Sequence, residues 1–214
     1  MKKLFALCLA VLSLGFNSSA FSDQTIRFAM EATYPPFEYM NPKGEILGFD
    51  VDVAKALCNQ IQAQCQFSNQ PWNSLIPSLK LGKFDALISS IAITPEREKQ
   101  VSFTAPYYIN SAVFVSPLAE NLQISKAGLQ GKSIGVQEGT VLEQYINQTF
   151  GNGVIVKTYP SILDAFLDLQ SGRVNAVFTD TPIAKDWLVK QQTKNFVEAG
   201  QPIEGGSLFQ EGFG

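Results

Sequence analysis

The chain has 214 residues, 45% of them hydrophobic and 16% charged, with a formal net charge of −3 and a pI near 5.0. That composition excludes a disordered or fibrous chain, and the mildly acidic balance lacks the clustered basic face that nucleic-acid binding needs. Histidine is absent, so a zinc site would rest on cysteines alone, a poor donor set; neither a metal nor a cofactor is expected.

Met1-Lys2-Lys3 is a basic start, Leu4 to Phe16 is a short apolar run, and Ser18-Ser19-Ala20 supplies small residues behind it. Residues 1–20 read as a secretory signal peptide, cut after Ala20 or Ser22. The competing reading is a membrane anchor, but the apolar run is shorter than the ~20 residues that cross a bilayer. Cys8 follows Leu7, where lipid attachment wants a small residue, so no lipid anchor is expected. The mature protein is then expected in the periplasm. In such a compartment Cys58 and Cys65 either pair or stay thiols; a bond across so short a loop would stabilise by about 2–3 kcal/mol.

From Thr25 the elements follow in order. Thr25 to Met30 alternates and predicts a strand, broken by Tyr34-Pro35-Pro36-Phe37. Gly44 predicts a hairpin-like turn. Asp50 to Ile61 predicts a helix with Val53, Leu57 and Ile61 at four-residue spacing and two aspartates near its start. Cys65 to Ser68 predicts a strand, and Asn73 is placed to cap a short helix carrying Leu75, Ile76 and Leu79. Phe84 to Ile91 predicts a buried strand, and Thr94-Pro95-Glu96-Arg97 a capped helical turn. Tyr107 to Ser116 is longer and β-rich, and predicts a crossing between two lobes. Beyond it the pattern restarts: strands at Lys132–Val136, Val154–Tyr159 and Val174–Thr179 alternate with helices starting near Gly139-Thr140, Ser161 and Thr181. Such alternation implies mostly parallel sheets covered by helices. The division is a first lobe over 23–108, a second over 109–206 that includes the hinge strands, and a return to the first lobe at 207–214.

Ligands of open α/β sheets sit beyond the carboxyl ends of the strands, where helix N–H groups are free. The residues there are Glu31 and Tyr34, then Ser89, Ser90, Ala92 and Arg97, then Thr140 and Val141, then Asp180, with Trp72 from the short helix. The set holds a fixed cation, carboxylates, hydroxyls and backbone amides, but no activated nucleophile, so no catalytic residue is assigned. It suits a free amino acid: Arg97 for a carboxylate, Asp180 for an ammonium, and Tyr34, Trp72 and Glu31 for a cationic side chain. Each residue taken singly has a blander reading. Arg97 could be a surface residue, Asp180 a helix cap, the aromatics ordinary packing and Glu31 a surface acid.

Six segments in order carry a resemblance: ATYPPFE from Ala32, GFDVDVAKALC from Gly48, LIPSLKLGKFDALISS from Leu75, ITPEREKQVSFTAPYY from Ile93, LQGKSIGVQEGT from Leu129 and GRVNAVFTD from Gly172. Together they resemble the extracellular solute-binding proteins of polar amino-acid ABC importers, family 3, most of all the arginine-binding and lysine/arginine/ornithine-binding members. The resemblance implies a two-lobed α/β fold (the type II periplasmic-binding-protein fold) joined by two crossing strands. It implies capture of a basic L-amino acid, arginine first, with lysine, ornithine and histidine in the same class. The partner is an ABC importer permease, and the protein is expected to act as a monomer. It also implies that Arg97 and the N–H groups of Ala92 and Val141 clasp the α-carboxylate. Asp180 and the Ser90 carbonyl hold the ammonium, Tyr34 and Trp72 sandwich the side chain, and Glu31 and Ser89 meet its far end. Family members pair the cysteines matching Cys58 and Cys65. Ala92 departs from the Ser or Thr often found there, and Glu31 from the Asp of broader-specificity relatives. The chain stops at Gly214 while relatives continue, so part of the first lobe is expected to be missing. Two other functions compete: a ligand-sensing domain for a receptor, and an exported lyase like cyclohexadienyl dehydratase, which would need a placed general acid or base.

Overall fold

The computed structural model describes residues 24–191, 195–205 and 212–214. The signal-peptide reading, its cut sites and most of the returning segment lie outside the described residues.

The first lobe is built on β1 (Thr25–Met30), which pairs in parallel with β5 (Gln64–Asn69) on one side and β6 (Ala86–Leu87) on the other. Between β1 and β5 the chain forms a small antiparallel sheet of β2 (Thr33–Tyr34), β3 (Glu38–Met40) and β4 (Ile46–Leu47), then α1 (Phe49–Gln60). Gly48 joins them at φ 128°, and a Cβ there would lie 2.2 Å from the Phe37 carbonyl oxygen, so only glycine lets α1 start this close to the hairpin. Two short helices, α2 (Leu75–Lys80) and α3 (Pro95–Glu98), complete the lobe.

The second lobe is a five-stranded sheet. Its strands are β7 (Ala112–Pro117), β8 (Ser133–Gln137), β9 (Ile155–Tyr159), β10 (Ala176–Asp180) and β11 (Phe196–Ile203), in the order β11-β7-β10-β8-β9. The β9-β8-β10 side is parallel and carries the helices α4 (Val141–Phe150), α5 (Ile162–Gln170) and α6 (Thr181–Lys190). Strand β7 runs antiparallel to both β10 and β11. Thr140 and Ser161 accept hydrogen bonds from the third N–H of α4 and α5, and Thr94 does the same for α3, so local capping fixes where each of these helices starts. Ring pairs Phe114–Phe178, between neighbouring strands, and Phe166–Trp187, between α5 and α6, pack in the core of this lobe with centroids 4.6 and 4.3 Å apart.

Several elements differ from the sequence expectation. On α1 the buried face is Asp50, Val51, Ala54 and Cys58, while Leu57 and Ile61 are 53% and 55% exposed. The stripe Val53-Leu57-Ile61 therefore points largely outward. Asn73 lies inside a 3-10 turn (Trp72–Ser74) and makes no cap; α2 follows from Ser74 without a side-chain cap. The strand expected over Phe84–Ile91 shrinks to Ala86–Leu87: among the described residues only β1 flanks it, and Ser90 turns left-handed at φ 47°. The crossing is not one long strand. Regular strand begins at Ala112, and before it Tyr108 makes a single antiparallel bridge to Phe213. Strand β11 has no counterpart in the sequence reading.

Phe213 returns the chain to the first lobe. It bridges both Ala92 and Tyr108, its ring packs on Phe37 at 5.6 Å, and the Gly214 N–H donates to the Ile91 carbonyl. Cys58 and Cys65 are joined at 2.01 Å, tying the last turn of α1 to the start of β5.

Candidate functional site

The ten residues singled out from the sequence, Glu31, Tyr34, Trp72, Ser89, Ser90, Ala92, Arg97, Thr140, Val141 and Asp180, line one cavity between the lobes. Its empty volume is about 360 Å³, part of it open to solvent, and Gln137, Leu142 and Phe213 complete the wall. Each side chain arrives at the end of an element. Glu31 follows β1, Ser89 and Ser90 follow β6, Thr140 and Val141 begin α4, and Asp180 ends β10 and opens α6. The parallel strands all aim their carboxyl ends at this gap, which is why chemistry-bearing residues collect there.

Arg97 is held from the first lobe. The Thr94 cap fixes the turn, one guanidinium nitrogen donates to the Ala92 carbonyl at 2.8 Å, and the other donates across the gap to the Gly139 carbonyl at 3.3 Å. The guanidinium lies over the Trp72 ring, 5.3 Å from its centre. Among the described residues no carboxylate forms an ion pair with it. Burial pushes its pKa down to about 10, yet it stays cationic at neutral pH. A desolvated cation satisfied only by neutral oxygens is a strong anion receptor.

Asp180 faces it from the second lobe. Its oxygens accept from the Tyr34 hydroxyl at 2.5 Å and the Asn110 amide at 2.6 Å, and it too has no cationic partner among the described residues. Burial raises its pKa to about 6, while those two donors pull it down. Tyr34 reaches Asp180 from the other lobe, so its hydroxyl engages this carboxylate while its ring lines the cavity.

Glu31 is buried at the far end. Its oxygens accept from the Thr33 hydroxyl at 2.5 Å and from the Gln137 amide at 2.6 Å, the latter across the gap. Burial raises its pKa and these donors oppose that. The Ser89 hydroxyl accepts the Glu31 N–H at 2.9 Å. Thr140 caps α4 and donates its own hydroxyl to the Gln137 carbonyl at 2.8 Å. The Val141 N–H is the first of α4 and so has no intrahelical partner, and Val141 lines the cavity. Gly139, at φ 71°, lies so close to the other lobe that a Cβ there would sit 2.8 Å from Asn73 Oδ1.

Gln137, Asn110, Thr33, Leu142 and Phe213 were not singled out from the sequence. Gln137 stands one residue past the expected end of its strand, and its inward direction follows from strand alternation once β8 is seen to run to 137. No local signal marks Asn110 or Phe213, which are brought in by the crossings.

Comparison with known proteins agrees with this architecture. A family model described as bacterial extracellular solute-binding proteins, family 3, matches residues 26–199. The ABC transporter arginine-binding protein 1 of Escherichia coli is 48% identical over 188 residues, covering 88% of this chain and 75% of the relative. A solved Salmonella typhimurium periplasmic binding protein, described for its high arginine specificity, superposes with a TM-score of 0.81 at 37% identity, covering 89% of this chain and 83% of that one. An ancestral amino acid-binding protein, described as a precursor of cyclohexadienyl dehydratase, superposes with a TM-score of 0.76 at 30% identity, covering 88% and 80%.

Proposed function

Since the chain belongs to the bacterial extracellular solute-binding proteins of family 3, we propose that it captures a basic L-amino acid, arginine, in the periplasm and delivers it to an ABC-type importer. The observation that carries this reading is the pair of complementary charges. A guanidinium from one lobe and a carboxylate from the other line the same cavity, and neither has an ionic partner among the described residues. A zwitterion bridges them: its carboxylate on Arg97 with the N–H groups of Ala92 and Val141, its ammonium on Asp180 with the Ser90 carbonyl. The side chain then runs between Tyr34 and Trp72 toward Glu31 and Ser89. A second buried carboxylate at that end favours a cationic side chain over a neutral one.

Contacts to both lobes by one small molecule favour the closed arrangement, and the importer reads that arrangement. Three hydrogen bonds already span the gap, Tyr34 to Asp180, Gln137 to Glu31 and Arg97 to Gly139, each made by a cavity residue. The related amino-acid-binding precursor of a dehydratase shows that the fold lies near an enzyme lineage. Here both Asp180 oxygens and both Glu31 oxygens are engaged as acceptors, which suits binding more than proton transfer.

The test is calorimetry with arginine, lysine, ornithine, histidine and glutamine. Arginine is expected to bind tightest; tightest binding of glutamine overturns the basic-ligand reading.

A further inference from the structure

Behind the cavity wall two buried carboxyl groups meet. Glu38 on β3 is 1% exposed and Asp50 on α1 is 0% exposed, and neither lines the cavity. We propose that Glu38 and Asp50 share one proton and, as positioning residues, together set the Ser89–Ser90 edge of the ligand site.

The hydrogen bonds define the arrangement. Glu38 Oε1 accepts from the Ser89 hydroxyl at 2.8 Å, and that hydroxyl accepts the Glu31 N–H at 2.9 Å. Asp50 Oδ2 accepts the Ser90 N–H at 2.7 Å, the Ser90 hydroxyl at 3.3 Å and the Tyr107 hydroxyl at 3.0 Å. The remaining oxygens, Glu38 Oε2 and Asp50 Oδ1, are buried and have no hydrogen-bond partner, and the two groups are neighbours: the Asp50 N–H donates to the carbonyl of Phe37, next to Glu38, at 2.9 Å, and the two carboxyl groups hold the adjacent residues Ser89 and Ser90. Two carboxylates cannot satisfy these oxygens for each other, because both offer only acceptors. One proton between the two orphan oxygens satisfies both at once and leaves one buried charge instead of two.

The donors decide where the proton resides. Asp50 receives three hydrogen bonds, which favour its ionised form, whereas Glu38 receives one. Glu38 is therefore the acid and donates to Asp50. Burial and the neighbouring Asp50 charge push the Glu38 pKa well above the carboxylate range, and Asp50 rises less. The other titratable groups facing Glu38 are Glu31, whose charge pushes it up further, and the hydroxyls of Tyr34 and Tyr107.

The pair matters because Ser90 is a non-glycine residue at φ 47°. Such a backbone persists only where the surroundings hold it. Asp50 grips its N–H and hydroxyl, and Glu38 grips its neighbour, so this turn at the end of β6 keeps both serines on the cavity wall.

The affinity readout rests on the arginine-binding reading; the spectroscopic one does not. Glu38→Gln is the informative variant. Its amide oxygen still accepts from Ser89, and its amide N–H takes the place of the shared proton. At pH 8, where Asp180 with its pKa of about 6 is ionised, the infrared difference between wild type and Glu38→Gln is expected to contain the C=O stretch of a protonated carboxyl group. By calorimetry Glu38→Gln is expected to keep arginine affinity within about threefold, whereas Glu38→Leu loses about tenfold or more by leaving Ser89 and Asp50 unpaired. Absence of the band, a loss of about tenfold in a folded Glu38→Gln, or an unchanged affinity in Glu38→Leu each overturns the proposal. Should Glu38→Leu not fold, the band and Glu38→Gln decide. Wild-type protein that binds no arginine removes the functional reading and leaves the infrared test in force.

Discussion

Lowering the pH should weaken ligand binding through Asp180. In the proposed binding mode its carboxylate is the partner for the ligand ammonium, and burial lifts its pKa to about 6. Only the ionised form attracts the ammonium, so apparent affinity scales with the ionised fraction. At pH 7.5 nearly all of Asp180 is ionised; at pH 5 about one-tenth is, so the apparent Kd rises about tenfold, or about 1.4 kcal/mol. The ligand-free fold responds in the opposite sense. A carboxyl group whose pKa is raised above its ordinary 3.8 contributes stability that is full below pH 3.8 and is lost as pH rises through about 6. Arginine should therefore raise Tm more at pH 7.5 than at pH 5. Calorimetry across this range at fixed ionic strength is the assay, with Asp180→Asn as the control that binds weakly at every pH. Glu31 also has a raised pKa and acts in the same direction for a cationic side chain, so the series is repeated in Glu31→Gln, which should retain the Asp180 component. A wild-type affinity that stays flat from pH 7.5 to 5 refutes the assignment of Asp180 to the ammonium.

Arg97→Ala should cost about 2–5 kcal/mol in arginine binding, since the ligand carboxylate loses its charged partner in a closed cleft. The same variant removes a desolvated cation, so thermal unfolding without ligand should show Tm unchanged or raised; a large fall would make Arg97 a structural residue. Glu31→Gln should weaken arginine more than it weakens glutamine, and equal losses would turn Glu31 away from the ligand side chain. Reducing the Cys58–Cys65 bond should lower stability by about 2–3 kcal/mol in denaturant titration while leaving the arginine Kd nearly unchanged.

The second lobe was the more legible in sequence, because its elements are set locally. The hydroxyls of Thr140 and Ser161 cap their helices, and strands alternate with helices at short intervals. The cavity was legible for a related reason: strand ends on a parallel sheet converge, so residues just past each strand could be gathered without knowing the packing. What escaped depends on distant chain. The spacing of Val53, Leu57 and Ile61 is helical, but α1 buries Val51, Ala54 and Cys58 in a core shared with Phe28 and Met30 of β1, and no local pattern selects between the two faces. Strand β11 reads FVEAGQPI, with Gly200 and Pro202 interrupting it, and owes its form to pairing with β7. Asn110 reaches Asp180 from 70 positions away, and Gln137 reaches Glu31 from 106.

The tight approach of Gly139 to Trp72 and Asn73 gives this position a use beyond fit. The Asn73 amide can swing aside for a methyl group, at the cost of holding a non-glycine residue at φ 71°, but a bulky side chain at 139 would also act as a doorstop, holding the jaws ajar on the mouth side while leaving Asp180 and Glu31 untouched. A graded series of sizes at this one position would set how far the jaws shut, and so separate grip on the solute from the shape the importer reads.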